Sequence, residues 1–250
     1  GREAAWDLFS RVANLAFIVT GSVAALVFIF AQQLVDNVIV PGFTTEQRLL
    51  VAELMRLNLV STIIFSISGL VMASLQANQH FLLPALAPTM YNVGQIFGAL
   101  IFVPIFGIQG LVYGVILGAA LHLAVQIPAL FKFGFKWTPV LDLRHTGLLE
   151  ALKLLAPRLL TMGGIQLIVI ARDYLASLTG QEGAVTSLAF GWMIMQVPET
   201  LLGTAIATAM LPTLSEFASR DKWHEFRLAI ERALRVLIAL TIPIAAVMAA

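Results

Sequence analysis

The sequence predicts an all-α fold, a polytopic bundle of transmembrane helices with little soluble mass, and three observations predict it. Of 250 residues, 59% are hydrophobic and only 12% charged, about half the charged share usual for a water-soluble domain. Uncharged runs long enough to cross a hydrocarbon layer of roughly 30 Å, each crossing needing about 20 mainly apolar helical residues, recur along the chain. The Lys and Arg residues gather in a few segments, and the stretch from Leu57 to Phe131 holds no Asp, Glu, Lys or Arg at all.

Seven spans are expected. The first, Val12 to Val35, runs uncharged between Arg11 and Asp36 and stops before the Pro41-Gly42 turn. The second covers about Leu57 to Leu75, preceded by an amphipathic turn with Glu46, Arg48, Glu53 and Arg56. The charge-free stretch is too long for one crossing. Pro84, Pro88, Pro104 and Gly107 punctuate it, which places the third span at about Ala85 to Ile105 and the fourth at about Ile108 to Phe131. A polar linker, Lys132 to Glu150, carries the turn signal Trp137-Thr138-Pro139 and separates residues 1–131 from 151–250. The fifth span runs about Ala151 to Leu178 and the sixth about Ala184 to Phe217; a seventh starts near Val236. Before it, Trp223, Phe226, Ile230, Ala233 and Leu234 recur at helical spacing opposite Arg220, Lys222, Arg227, Arg232 and Arg235. That pattern predicts a basic amphipathic helix lying on an anionic membrane leaflet. The chain ends inside an apolar run at Ala250 and reads as an excerpt of a longer protein.

This span count places Arg2, Arg11, the linker cations, Lys153, Arg158 and the five basic residues from Arg220 to Arg235 on one side of the membrane. Only Arg48 and Arg56 fall on the other, and Arg172 is left within the membrane. Because cytoplasmic loops retain an excess of Lys and Arg, the N-terminus and the central linker are expected in the cytoplasm.

A formal charge of +1 offers no field for nucleic acid, and the absence of cysteine removes thiolate metal sites and cysteine nucleophiles. Neither HExxH, GxSxG nor a P-loop is present, so an enzyme, a metal and a cofactor are not expected. Attention falls on polar groups at membrane depth, which are costly and usually face a bundle interior or a wet cavity. Arg172 and Asp173 in the fifth span and Glu199 in the sixth qualify. Adjacent helical residues point about 100° apart, so Arg172 and Asp173 are each expected to meet a different neighbour. Pro198 and Gly203, with Gly163-Gly164 in the fifth span, weaken their helices locally. Asn92, Gln95 and Gln126 are candidates for a polar cavity or for interhelical hydrogen bonds, and His122 is read as bonded across helices. The ladders Gly110-Gly114-Gly118 and Gly94-Gly98 allow close backbone approach, and packing is their expected use.

Several blocks together resemble the MurJ (MviN) lipid II flippase family, within the multidrug/oligosaccharidyl-lipid/polysaccharide exporter superfamily. They are Ala87-Pro88-Thr89-Met90-Tyr91-Asn92 after Gln79-His80-Phe81; Tyr174-Leu175-Ala176-Ser177 before Glu182-Gly183-Ala184-Val185; and Met195-Gln196-Val197-Pro198, continuing to Gly203 and to Leu211-Pro212-Thr213-Leu214-Ser215. The resemblance implies a two-lobed transporter of fourteen helices around a central cavity, of which this chain would cover helices three to nine. Residues 1–131 would be the late N-lobe, 132–150 a cytoplasmic linker and 151–250 the early C-lobe. It further implies alternating-access movement of a lipid-linked peptidoglycan precursor across the bacterial inner membrane, without covalent chemistry. Membrane lipids and a coupling ion, proton or sodium, would be the other partners, and the protein would be monomeric. Arg172, Asp173, Gln196, Glu199 and Asn92 are the residues expected to line the route. Family members carry a cavity arginine on helix eight where this sequence has Met193, and their Asp-Arg pair on helix seven is reversed here as Arg172-Asp173. Two alternatives stay open: an exporter of another glycolipid or an amphipathic drug coupled to a cation, and a non-transporting scaffold that docks cell-wall enzymes through Arg220 to Arg235.

Overall fold

The computed structural model describes residues 2–140 and 145–249. Every regular element among them is helical, so the fold is an all-α helix bundle. Six helices are long and apolar enough to cross a membrane, Ala5–Ile39, Thr45–Ala77, Leu82–Phe106, Gln109–Lys132, Thr146–Ser177 and Ala184–Ser219, and they overlap the first six expected spans. Their large apolar side chains point outward: Leu154, Leu159 and Leu160 are 79%, 67% and 80% exposed. An apolar surface that broad belongs in lipid.

Helix α1 (Arg2–Leu34) widens into a π-helical turn at Val35–Ile39 before the Pro41-Gly42 corner. Helix α2 (Thr45–Ala77) starts at a capping box, in which the Gln47 amide donates to Thr44 Oγ1 (3.3 Å) and the Thr44 amide to Gln47 Oε1 (3.1 Å). Two orphan donors are thereby satisfied where no earlier turn can do so. The cap sets the start of the helix, so the expected amphipathic turn at Glu46–Arg56 forms its first three turns. Helix α3 (Leu82–Phe97) passes through a second π-helical turn, Gly98–Phe102, into α4 (Val103–Phe106) and ends at Gly107, whose φ of 65° suits glycine. Helix α5 (Gln109–Ala124) and α6 (Ile127–Lys132) complete the fourth crossing.

The core of this bundle is a backbone contact. A side chain at Gly94 of α3, or at Gly98 where the π-helical turn begins, would collide with the backbone of Gly118 or Gly114 in α5, and one at Gly110 with the carbonyl of Phe102. Glycine at all five positions lets the two helices touch, as packing in lipid requires when no hydrophobic force drives them together.

One turn past this ladder the fourth crossing breaks. The Gln126 amide bonds the Leu123 carbonyl instead of that of His122, and Pro128 has no amide to contribute. The side chain of Gln126 makes the repair, its Nε2 donating to the His122 carbonyl (2.7 Å) and to Ser68 Oγ of α2 (3.0 Å). The facing carbonyl fixes the amide's orientation, since an oxygen there would repel it. Ser68 Oγ lies 2.6 Å from His122 Nδ1. Ser68 and Gln126 are fully buried and His122 nearly so, which makes His122 the interhelical bond that the sequence suggests.

Beyond α6 the chain folds back along α1. Asn14 Nδ2 donates to the carbonyls of Thr138 (2.8 Å) and Val140 (3.0 Å), Trp137 Nε1 donates to Asn14 Oδ1 (2.9 Å), and the Thr138 amide donates to Ser10 Oγ (3.2 Å). Trp6, Phe9 and Phe135 meet edge to face with centroids 5.3–5.8 Å apart. The first part of the linker is therefore a strap bound to α1. Arg144 lies outside the described residues. Helix α7 (Thr146–Ser177) follows, and with it residues 1–180 form one compact unit.

Residues 181–250 form a second unit, comprising α8 (Ala184–Pro198), a π-helical turn at Glu199–Thr204, α9 (Ala205–Ser219) and α10 (Trp223–Ala249). Here the structure corrects one expectation. The amphipathic helix and the start of the seventh span are one continuous helix, because no Gly or Pro interrupts the chain from Trp223 until Pro243. Nor is its polar face simply basic: Arg235 pairs with Glu231 one turn back (3.8 Å), and Glu225 accompanies Arg227 and Arg232. Arg220 and Lys222 precede the helix, and Arg220 pairs with Glu216 of α9 (3.1 Å).

Three stability tests follow. Gly98→Leu forces α3 from α5 and is expected to cost about 3 kcal/mol, whereas Gly69→Ala in α2, with open space around it, is expected to gain about 0.5–1 kcal/mol. Asn14→Ala strands two strap carbonyls and the Trp137 N–H, at about 2 kcal/mol. Thermal unfolding of the purified protein in one detergent reads all three.

Candidate functional site

The second unit holds a cavity of about 660 Å³ between the α8–α9 crossing and α10, lined by Met195, Pro198, Glu199, Leu202, Leu237 and Thr241 among others. Its position follows from the sequence. Pro198 offers no amide to the carbonyl four residues back, the next turn widens into the π-helical segment Glu199–Thr204, and such turns commonly accompany functional sites. Glu199, the first residue of the wide turn, is exposed and is the one ionisable residue among linings that are otherwise almost wholly apolar. A carboxylate in such walls suits a cation or an amphipathic molecule with a cationic or hydrogen-bonding end.

Arg172 and Asp173 lie in the first unit, within two turns of the C-terminal end of α7. Contrary to the expectation of separate neighbours, they bond one another: Arg172 Nε donates to Asp173 Oδ1 (2.9 Å) and Nη2 lies 2.7 Å from the same oxygen. The long arginine stem spans the angular gap that a shorter side chain could not. Both remain about a quarter exposed, at 24% and 23%, so the pair presents a dipole and little net charge.

The other expected residues are placed separately. Asn92 lies on an exposed face of α3, one turn from the bond between Gln95 Nε2 and Tyr91 Oη (3.0 Å). Gln196 is exposed on α8, as is Met193, at 61%. Gln126 belongs to the buried repair described above. Ser68 and Asn14 carry polar contacts between distant segments of the first unit, and sequence reading missed both. Their signal was faint: one small polar residue among many in α2, and an asparagine without a charged neighbour. Among the described residues, no group of three or more His, Cys, Asp or Glu side chains could hold a metal ion.

Comparison with known proteins gives this geometry a context. The family model described as "Lipid II flippase MurJ" matches residues 1–250. The lipid II flippase MurJ of Burkholderia cenocepacia is 32% identical over 187 residues, covering 72% of this chain and 36% of that protein. Probable lipid II flippases MurJ of Buchnera aphidicola subsp. Acyrthosiphon pisum and of Borreliella burgdorferi are 25% and 22% identical, over 86% and 98% of this chain and 42% and 48% of theirs. The chain thus spans between about a third and a half of the length of these relatives. With the family model matched from the first residue to the last, across the glycine ladder, the strap and the wide turn at Glu199, the chain belongs to the MurJ lipid II flippase family.

Proposed function

We propose that this chain is the part of a lipid II flippase that joins its two lobes, moving a polyprenyl-pyrophosphate-linked peptidoglycan precursor from the cytoplasmic to the outer leaflet by alternating access. The match to the family over all 250 residues carries this reading. It accords with six helices long and apolar enough to cross a membrane. Transport of this kind makes no covalent bond and needs only two arrangements of one scaffold.

The proposed setting is the bacterial inner membrane, with the N-terminus and the strap in the cytoplasm, as the Lys and Arg distribution favours, and with a monomeric protein. The lobe boundary is proposed in the linker, residues 132–150. Glu199 is the proposed contact for the coupling ion, proton or sodium, because it lines a largely apolar cavity at a π-helical turn. Arg172, Asp173, Gln196 and Asn92 are proposed to line the route. At Met193 a thioether stands where an arginine would clamp a pyrophosphate bidentately. That substitution favours, as a second reading, a related exporter whose glycolipid or drug substrate lacks a pyrophosphate.

Complementation of a flippase-depleted bacterium by the full-length protein separates the two. Growth with the parent protein is expected, with Glu199→Gln and Arg172→Ala each lowering precursor flipping by about tenfold or more, as loss of a charge at membrane depth implies. No growth with the parent but rescue by Met193→Arg would identify a different natural substrate on the same scaffold, and full activity in Glu199→Gln and Arg172→Ala would remove both residues from the route.

A further inference from the structure

Not every glycine of the first unit draws two helices together. A side chain at Gly21 of α1 would meet nothing within 4 Å. Gly21, Ala24, Ala25 and Phe28 recur at helical spacing on α1, and Arg56, Val60 and Ile63 do so on α2. Between these two stripes the hairpin opens into an apolar groove of about 390 Å³, a volume in the range of small-molecule sites. At about 1.5 Å of rise per residue, the stripes make it about 10 Å long. Arg56 closes its mouth. Its Nε donates to the Phe28 carbonyl (3.1 Å), and the guanidinium carbon lies 5.8 Å from the centre of the Phe28 ring. Neither Nη atom has a partner among the described residues, and no carboxylate among them neutralises the charge. Glu53 receives a bond from Gln109 (3.4 Å), while Asp36 is held by Arg48 (3.4 Å) and Gln32 (2.9 Å).

We infer that this groove binds an anionic phospholipid from the leaflet on the side of the Pro41-Gly42 corner, with the phosphate on Arg56 and one acyl chain between α1 and α2. That leaflet is the outer one in the orientation proposed above. The inference needs only that the chain spans a membrane, and holds whatever the protein moves. Depth supports it. Arg56 is the last charge before the uncharged residues 57–131, and Arg48, paired with Asp36, lies about 12 Å farther out along α2. The guanidinium therefore stands where phosphates meet hydrocarbon. An arginine that only snorkels extends towards water, but the Phe28 carbonyl turns Arg56 sideways on to α1. Both Nη groups are left for a phosphate, which arginine engages through two parallel hydrogen bonds. A cation without a carboxylate beside it also selects by charge, since a zwitterionic headgroup brings an ammonium that it repels. The walls below Arg56 offer hydrocarbon and no polar side chain, so an acyl chain suits them and a headgroup does not.

The test uses the full-length protein in phosphatidylcholine vesicles that contain a trace of photoactivatable lipid. The lipid carries a diazirine on one acyl chain and is either phosphatidylglycerol or phosphatidylcholine; labelled peptides are mapped and counted by mass. Phosphatidylglycerol is expected to label residues 21–29 and 59–63 about tenfold more than phosphatidylcholine, as charge-assisted hydrogen bonds to Arg56 imply. Arg56→Gln is expected to abolish that preference. Arg56→Lys, which keeps the charge, is expected to retain about half of it, so that lost recognition is told apart from lost folding. Gly21→Leu fills the groove and is expected to lower labelling by both lipids about fivefold, whereas Arg48→Gln, nearer water, leaves it within about twofold. Equal labelling by the two lipids, or a preference that survives Arg56→Gln, overturns the inference. So does an absence of labelling on both stripes, which would mean that a helix from elsewhere in the protein fills the groove. Displacement of phosphatidylglycerol by inorganic phosphate also overturns it, by making the site one for a free anion.

Discussion

Inside a bilayer a backbone N–H or C=O without a partner has no water to fall back on, and most of the first unit can be traced to that constraint. It makes the elements helical, because a helix satisfies its own backbone within one segment. It also explains where irregularity is tolerated. The fourth crossing breaks near Pro128, and a buried glutamine side chain takes over the bond that the backbone gives up. The strap has no ladder of its own, and Ser10 and Asn14 of α1 supply its partners. Even the capping box at Thr44 serves the same end, at the only place where α2 has no preceding turn.

Much of this was legible in the sequence, for a physical reason. Hydrocarbon imposes a length and an absence of charge on each crossing, and both survive in a string of letters, so the corners at Pro41-Gly42 and at Gly107 fell where the composition put them. The glycines of the ladder were equally readable, since small residues every fourth position have few other uses in lipid. What the letters concealed was continuity. Charge before Val236 suggested a separate surface helix, yet nothing in that segment breaks a helix, and propagation from a formed turn is easier than starting anew.

The candidate site was legible as a set of residues and not as an arrangement. Glu199 stood out because a carboxylate after a proline in an apolar run has few structural uses, and the structure gives it a cavity. The relation between Arg172 and Asp173 escaped, because angular spacing describes where a helix points its Cβ atoms and says little about where a flexible guanidinium ends. The strap escaped for a different reason. Its bonds join residues more than a hundred positions apart through main-chain atoms, and no residue type announces which carbonyl it will meet.

The glycine ladder bears on how the protein is made. A glycine has no rotamers to freeze, so closing the seam between α3 and α5 costs almost nothing in side-chain entropy, unlike an interface of leucines. The two helices are also near neighbours in the chain, joined by a short turn at Gly107, and such proximity keeps the entropy of loop closure small. Both terms favour this pair as the nucleus of the bundle during synthesis, with α3 and α5 docked as soon as both have entered the bilayer and the outer helices gathering on a template already rigid.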